Sequence, residues 1–115
     1  MKVKDILDDL KLTQVTSIEN LDIEITGGIV SDLLSNVMGQ AASGMVWITM
    51  QGHHNIAAVG SLIGLSAVIV AADAKVEEDA INKSNENALA VFTTPLTSYD
   101  VAGKLYALGV KNTQE

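Results

Sequence analysis

Cysteine and arginine are absent from this 115-residue sequence, and aromatic residues are scarce. Without cysteine, disulfide scaffolds, thiolate zinc sites and cysteine nucleophiles are all excluded. Aromatic residues make up 3% of the chain whereas hydrophobic residues make up 48%, so the core is expected to consist of aliphatic side chains and methionine. Side chains of this size suit helices that pack closely on a sheet.

The formal net charge is -7, because acidic residues outnumber lysine two to one. The lysines are scattered along the chain and do not form the basic cluster that binding to a phosphate backbone requires. We therefore exclude nucleic acids and anionic membranes as partners. Residues 1–11 also carry three aspartates, unlike a secretory or transit peptide, so we expect a cytoplasmic protein.

The middle of the chain is free of charge, since no Asp, Glu, Lys or Arg occurs between Leu33 and Ala72. A membrane helix does not explain this stretch, because glycine, glutamine, histidine and serine residues interrupt it. Its cleanest uncharged run, residues 56–72, is shorter than the ~20 residues that a spanning helix needs. We predict instead a buried helix, a turn and a buried strand.

Hydrophobic periodicity predicts the remaining elements. Helical spacing indicates helices at residues 3–10, 30–38, 55–63 and 76–85, and a further helix after Thr97, which is followed by Asp100 as in a capping box. Alternating or continuous apolar runs indicate strands at residues 21–25, 45–50, 67–70 and 88–92, with a short extended piece at 14–16. A turn is predicted at residues 26–28 and a frayed tail at 111–115.

Three consecutive strand-then-helix units, which begin at Met45, Ala67 and Ala88, predict a parallel sheet with right-handed crossovers. The strand at residues 21–25 precedes this series and is expected at an edge of the sheet. The predicted fold class is α/β. We expect a single compact three-layer domain over residues 1–115, with a mainly parallel sheet and helices on both faces.

Candidate ligand-binding residues follow from this topology, because open parallel sheets bind ligands beyond the carboxyl ends of their strands. The loops expected there carry glycine, hydroxyl, amide, imidazole and carboxylate groups. The candidates are Thr26, Gly27, Gly28, Ser31, Gln51, His53, His54, Asp73, Thr93 and Thr94.

Each candidate group also has a structural interpretation. Residues 26–28 are either an anion-binding nest of backbone amides or a glycine turn capped by Ser31. His53 and His54 are either acid, base or metal ligands, with Asp73 as the third ligand, or groups that cap a helix or face solvent. Thr94 either contacts a phosphate or caps a helix that has Pro95 in its first turn. We predict no metal, no cofactor and no catalytic residue.

Five blocks of the sequence resemble the DRTGG domain family. They are E-I-T-G-G (24–28), V-S-D-L-L-S-N-V-M (30–38), W-I-T-M-Q (47–51), H-N-I-A-A-V (54–59) and V-A-G-K-L-Y-A-L-G (101–109). That family occurs as a free-standing protein and as a module joined to phosphate acetyltransferase or CBS-domain proteins, and it is similar to the N-terminal domain of HPr kinase/phosphorylase. The resemblance implies a compact α/β fold, homodimerisation and a regulatory or scaffolding role. Kinase activity is not implied, because the chain has no P-loop.

The chain departs from the motif that names the family. Glu24 stands where the family has Asp, and Ile25 stands where it has Arg, so a bidentate anion donor is missing. Thr26, Gly27 and Gly28 are retained, and the turn with its backbone amides is expected to persist.

Three functions remain open at this stage. The first is a non-catalytic, homodimeric regulatory or interaction module that contacts a second copy or a partner protein. The second is a sensor that binds a nucleotide or phosphate-containing metabolite, a small anionic ligand, at the strand-end loops. The third is an enzyme that uses His53 or His54 with Asp73.

Overall fold

A five-stranded sheet organises the chain in the computed structural model, which describes residues 1–113. The strands are β1 (Thr13–Gln14), β2 (Gly27–Val30), β3 (Met45–Thr49), β4 (Ala67–Val70) and β5 (Val91–Thr93). Their order in the sheet is β1-β5-β4-β3-β2. Strands β2 to β5 run parallel, and β1 is antiparallel to β5.

Helices cover both faces of this sheet. A 3-10 helix (Val3–Ile6) precedes the strands, and an α-helix follows each parallel strand. The 3-10 helix and the last α-helix share one hydrophobic cluster with the sheet, whereas the other three α-helices share the second cluster. The α-helices are α1 (Leu34–Gln40), α2 (Asn55–Ile63), α3 (Glu78–Glu86) and α4 (Ser98–Ala107).

Strand β3 shows how one sheet serves two cores. All five of its residues are buried, as expected for a continuous apolar run in a central parallel strand. Its side chains alternate, so Val46 and Ile48 join the cluster under α4 while Met45 and Trp47 join the cluster under α1, α2 and α3. The predicted three-layer α/β fold with a mainly parallel sheet is therefore confirmed for the described residues.

Several predicted boundaries agree with the structure. Helix α2 and strand β4 have the predicted limits, and Gly64 ends α2 with a φ of 80°. Thr97 is the N-cap of α4, as predicted, and the Asp100 amide donates to its hydroxyl at 3.2 Å, which is one of the two hydrogen bonds of a capping box. The helices formed by residues 1–113 all fall short of the length and apolar character that a membrane span requires.

The predicted strand at residues 21–25 is wrong. This segment bonds to the N-terminal residues and not to the sheet, with Val3 N donating to Ile23 O and Ile25 N donating to Met1 O, both at 2.9 Å. The side-chain hydrogen bond between Lys2 and Asp22 raises the pKa of Lys2 and lowers the pKa of Asp22. The edge strand beside β3 is β2, which begins at Gly27, so residues 26–28 start a strand and do not end one.

Three further predicted boundaries are corrected. Because β2 extends to Val30, α1 starts at Leu34 and not at residue 30. The first helix is one 3-10 turn and not an amphipathic α-helix over residues 3–10. Residues 111–112 are not frayed, since they pack on β2, whereas residues 114–115 of the predicted tail lie outside the described residues.

Candidate functional site

The predicted site residues lie at opposite ends of the sheet. Thr26, Gly27 and Gly28 stand at the amino end of β2, whereas the other seven residues follow the carboxyl ends of parallel strands or close β5. Those seven are Ser31 after β2, Gln51, His53 and His54 after β3, Asp73 after β4, and Thr93 and Thr94 at the end of β5.

The amides at the amino end are engaged in the fold. Thr26 N donates to Gly44 O and Gly28 N donates to Lys111 O, both at 2.9 Å. A Cβ on Gly27 would crowd the carbonyl oxygen of Asn112, so glycine is needed there to let residues 111–112 approach β2. The amides of Thr26 and Gly28 are therefore not free to form an anion-binding nest, and Gly27 serves close packing.

A cleft opens at the carboxyl end, where the loops after β2, β3 and β4 meet. Its volume is about 470 Å³. Two of the sequence candidates, Gln51 and His53, line it. The other lining residues are Asp32, Met50, Gly52, Lys75 and Glu77.

Asp32 ties the loop after β2 to the loop after β3. Its Oδ1 accepts hydrogen bonds from the Thr49 hydroxyl and the Met50 amide, each at 2.7 Å. The Gln51 side-chain amide donates to the Asp32 carbonyl at 3.1 Å, and the Gln51 backbone amide donates to the Thr49 hydroxyl at 3.0 Å. Charge-assisted bonds of this length hold one wall of the cleft in place.

Ser31 also has a local role at this end of β2. Its hydroxyl accepts hydrogen bonds from the Leu33 amide at 3.2 Å and from the Asn36 side chain at 3.0 Å, next to the start of α1. Its carbonyl accepts the indole N–H of Trp47 at 2.8 Å. These bonds fix the chain between β2 and α1, so Ser31 supports the cleft wall that begins at Asp32.

Gly52 and Glu77 join the loop after β3 to the start of α3. The Glu77 amide donates to Gly52 O at 2.8 Å. A Cβ on Gly52 would overlap the carbonyl oxygen of Lys75, so only glycine allows the two loops to approach this closely. The second wall of the cleft therefore depends on a backbone contact at Gly52.

The two histidines lie against this junction. Their ring centroids are 4.0 Å apart, and His53 Nδ1 accepts the Asn55 amide at 3.4 Å at the start of α2. One ligand atom from each histidine and a Glu77 carboxylate oxygen all lie within 4.8 Å of one another. Asp73, the third ligand considered from the sequence, is not part of this cluster.

The remaining candidates have other surroundings. Asp73 is exposed, and its amide donates to Thr94 O at 3.0 Å in a turn where Ala72 and Asp73 have φ values of 59° and 56°. The Thr94 hydroxyl is buried, donates to Leu10 O at 2.7 Å and accepts the Leu96 amide at 3.2 Å. Helix capping by Thr94 is wrong, because Thr97 caps α4.

Asp32 and Glu77 are the residues that sequence reasoning missed. Asp32 is not among the sequence candidates because the edge strand is predicted at residues 21–25. With β2 at Gly27–Val30, Asp32 falls in a strand-end loop. Glu77 belongs to an acidic run at the start of α3 that is typical of a solvated helix face. The backbone amide of Glu77 bonds to the carbonyl of Gly52, the residue before His53, and this contact joins residues that are 25 positions apart in the sequence.

No family model and no curated protein matches the chain. A solved structure does match it: the CBS and DRTGG domains of the regulatory region of Clostridium perfringens pyrophosphatase, complexed with its activator, diadenosine tetraphosphate. The TM-score is 0.75 at 19% identity, over 97% of this chain and 47% of that one. The chain thus spans about half of that structure.

At 19% identity the similarity to this structure shows the fold alone. The class defined by the sheet order and the two helical layers is a mostly parallel α/β domain. Within that class, the chain has a DRTGG-like fold. The resemblance seen in the sequence is confirmed at this level.

Proposed function

We propose that the chain is a non-catalytic regulatory module. The observation that carries this proposal is the match over 97% of the chain to a structure from a regulatory region.

The module is further proposed to act as a homodimer. Exposed apolar side chains lie on α4 and on the neighbouring edge strand: Tyr99 is 88% exposed, Tyr106 62% and Val30 49%. Val30 and Tyr106 line a shared groove, together with Ala102 from α4. Exposed apolar surface of this kind marks interaction sites, and aromatic residues are enriched in them.

Size-exclusion chromatography with light scattering tests the dimer. We expect the chain to have twice its monomer mass at micromolar concentration and Tyr106→Lys to be monomeric, because a buried charge would oppose association. Leu62→Lys is the matched control, since Leu62 is 73% exposed on α2 and away from the groove. A monomeric wild type, or equal effects of the two substitutions, would contradict the proposal.

A second candidate function is the binding of a phosphate-containing metabolite in the carboxyl-end cleft. Lys75 and the Gln51 side chain line the cleft together with the carboxylates of Asp32 and Glu77. An anionic ligand is therefore proposed to contact Lys75, which would hold it against the repulsion of the two carboxylates. The matching pyrophosphatase region was crystallised with a dinucleoside polyphosphate activator. A small anionic ligand bound there would contact the loops after both β3 and β4, so its binding would affect both loops together.

Thermal unfolding in the presence of ligands tests this second candidate. Diadenosine tetraphosphate or ATP is expected to raise the Tm by about 4–8 °C at saturating concentration, whereas adenosine should not. Lys75→Gln should remove most of the shift, and Lys83→Gln on α3, outside the cleft, should retain it. The absence of any shift with phosphate compounds, or equal behaviour of the two variants, would count against a phosphate sensor.

A further inference from the structure

We propose that His53, His54 and Glu77 form a binding site for a divalent transition-metal ion of the zinc class. Two imidazoles and one carboxylate are the ligand types that zinc takes in open sites, where water fills the fourth position. The same set disfavours magnesium and calcium, which prefer oxygen ligands. The site requires neither the dimer nor a phosphate ligand, so it is independent of the function proposed above.

The distances suit a single ion. Ligand atoms around tetrahedral zinc lie about 3.4 Å apart, given metal–ligand bonds of about 2.1 Å. The three ligand atoms here lie within 4.8 Å of one another before any ion is bound. Rotation of the exposed Glu77 side chain can shorten its distances to the two imidazoles. The bond from the Asn55 amide to His53 Nδ1 is long, at 3.4 Å, so little is lost when a ring nitrogen turns to a metal.

The backbone brings the ligands together from two segments. His53 and His54 precede α2, and Glu77 precedes α3. The hydrogen bond from Glu77 N to Gly52 O joins these segments one residue from the histidine pair. Helices α2 and α3 also share a hydrophobic cluster that includes Ile56 and Ala80. The approach of the three groups is therefore a property of the fold and not of flexible side chains alone.

The electrostatics of the cleft also favour a cation. Asp32 and Glu77 line the cleft against a single lysine, Lys75. The whole chain carries a net charge of -7, which attracts divalent ions over longer distances. Asp32 is held by the Thr49 hydroxyl and the Met50 amide, so its negative charge stays close to the site.

Isothermal titration calorimetry with zinc chloride on the tag-free full chain tests the site. We expect one zinc ion per chain and no heat with magnesium chloride. Glu77→Gln should weaken zinc binding at least about tenfold, as should His53→Ala, since each removes one of three protein ligands. Glu78→Gln is the matched control: it removes the same charge at the next position, from a side chain outside the cluster, and should change the affinity less than about twofold.

Two further readouts distinguish the site from weak binding by an exposed histidine pair. Cobalt(II) in place of zinc should give the visible absorption of a four-coordinate ion in the wild type and in Glu78→Gln, but not in Glu77→Gln. Saturating zinc should also raise the Tm by about 5–10 °C, because the ion joins two segments of the folded chain. The proposal is overturned if the wild type does not bind zinc, or if Glu77→Gln and Glu78→Gln bind it equally.

Discussion

Replacing Gly52 by alanine is expected to lower the free energy of unfolding by about 2–4 kcal/mol. The added Cβ would overlap the Lys75 carbonyl oxygen and crowd the Val76 Cα. Both neighbours are backbone atoms, so no side-chain rotation can relieve the overlap. The loop after β3 must move away from residues 75–77, which breaks the bond from Glu77 N to Gly52 O and exposes part of the buried Val76.

Urea unfolding followed by tryptophan fluorescence measures this loss, because the single tryptophan, Trp47, is fully buried. The matched control is Gly39→Ala in α1, where a Cβ would meet nothing within 4 Å. Alanine in a helix is favoured over glycine, so this control should leave stability unchanged or raise it by up to about 1 kcal/mol. Equal midpoints for Gly52→Ala and wild type would refute the steric argument.

The central part of the fold could be predicted because its signals are local. Helix α2 and strand β4 have the predicted limits, since a helical apolar period, a glycine stop and a continuous apolar run each specify one element. Strand β3 differs from its prediction by one residue. Strands β3 and β4 are buried on both faces and α2 buries one face, so in each the local pattern and the tertiary environment agree.

The N-terminal quarter could not be predicted in the same way. Residues 21–25 alternate apolar and acidic side chains like a strand, yet their backbone groups pair with residues 1–4. The true edge strand, β2, contains two glycines and has no alternating pattern. Its position depends on its partners, which are β3 on one side and residues 111–112, next to Gly28, on the other. Because these partners are distant in the sequence, the pattern of residues within β2 does not reveal the strand.

That one misplaced strand accounts for most of the errors at the site. With the strand predicted at residues 21–25, Gly27 and Gly28 are expected at the ligand-binding end of the sheet, whereas they lie at its amino end. The same prediction leaves Asp32 outside the strand-end loops. The loop after β3 was placed correctly, so Gln51 and His53 do line the cleft. Glu77 joins them through a backbone hydrogen bond to Gly52, a contact that no spacing rule includes.

Replacing Thr94 by valine is expected to lower the free energy of unfolding by about 2–3 kcal/mol. Valine keeps the size and the β-branch of threonine, so the change isolates the hydroxyl. Without that hydroxyl, the carbonyl of Leu10 and the amide of Leu96 lose their hydrogen-bond partner at a buried position. The cost is therefore that of unpaired buried polar groups and not of a cavity.

Thr93→Val is the matched control for this prediction. Thr93 is the last residue of β5 and directly precedes Thr94. It is only partly buried and has no side-chain hydrogen bond within residues 1–113, so its substitution should shift stability by less than about 0.5 kcal/mol. Thr94→Ser should recover most of the loss, because it restores the hydroxyl. Urea midpoints that are the same for Thr94→Val and Thr93→Val would contradict this role.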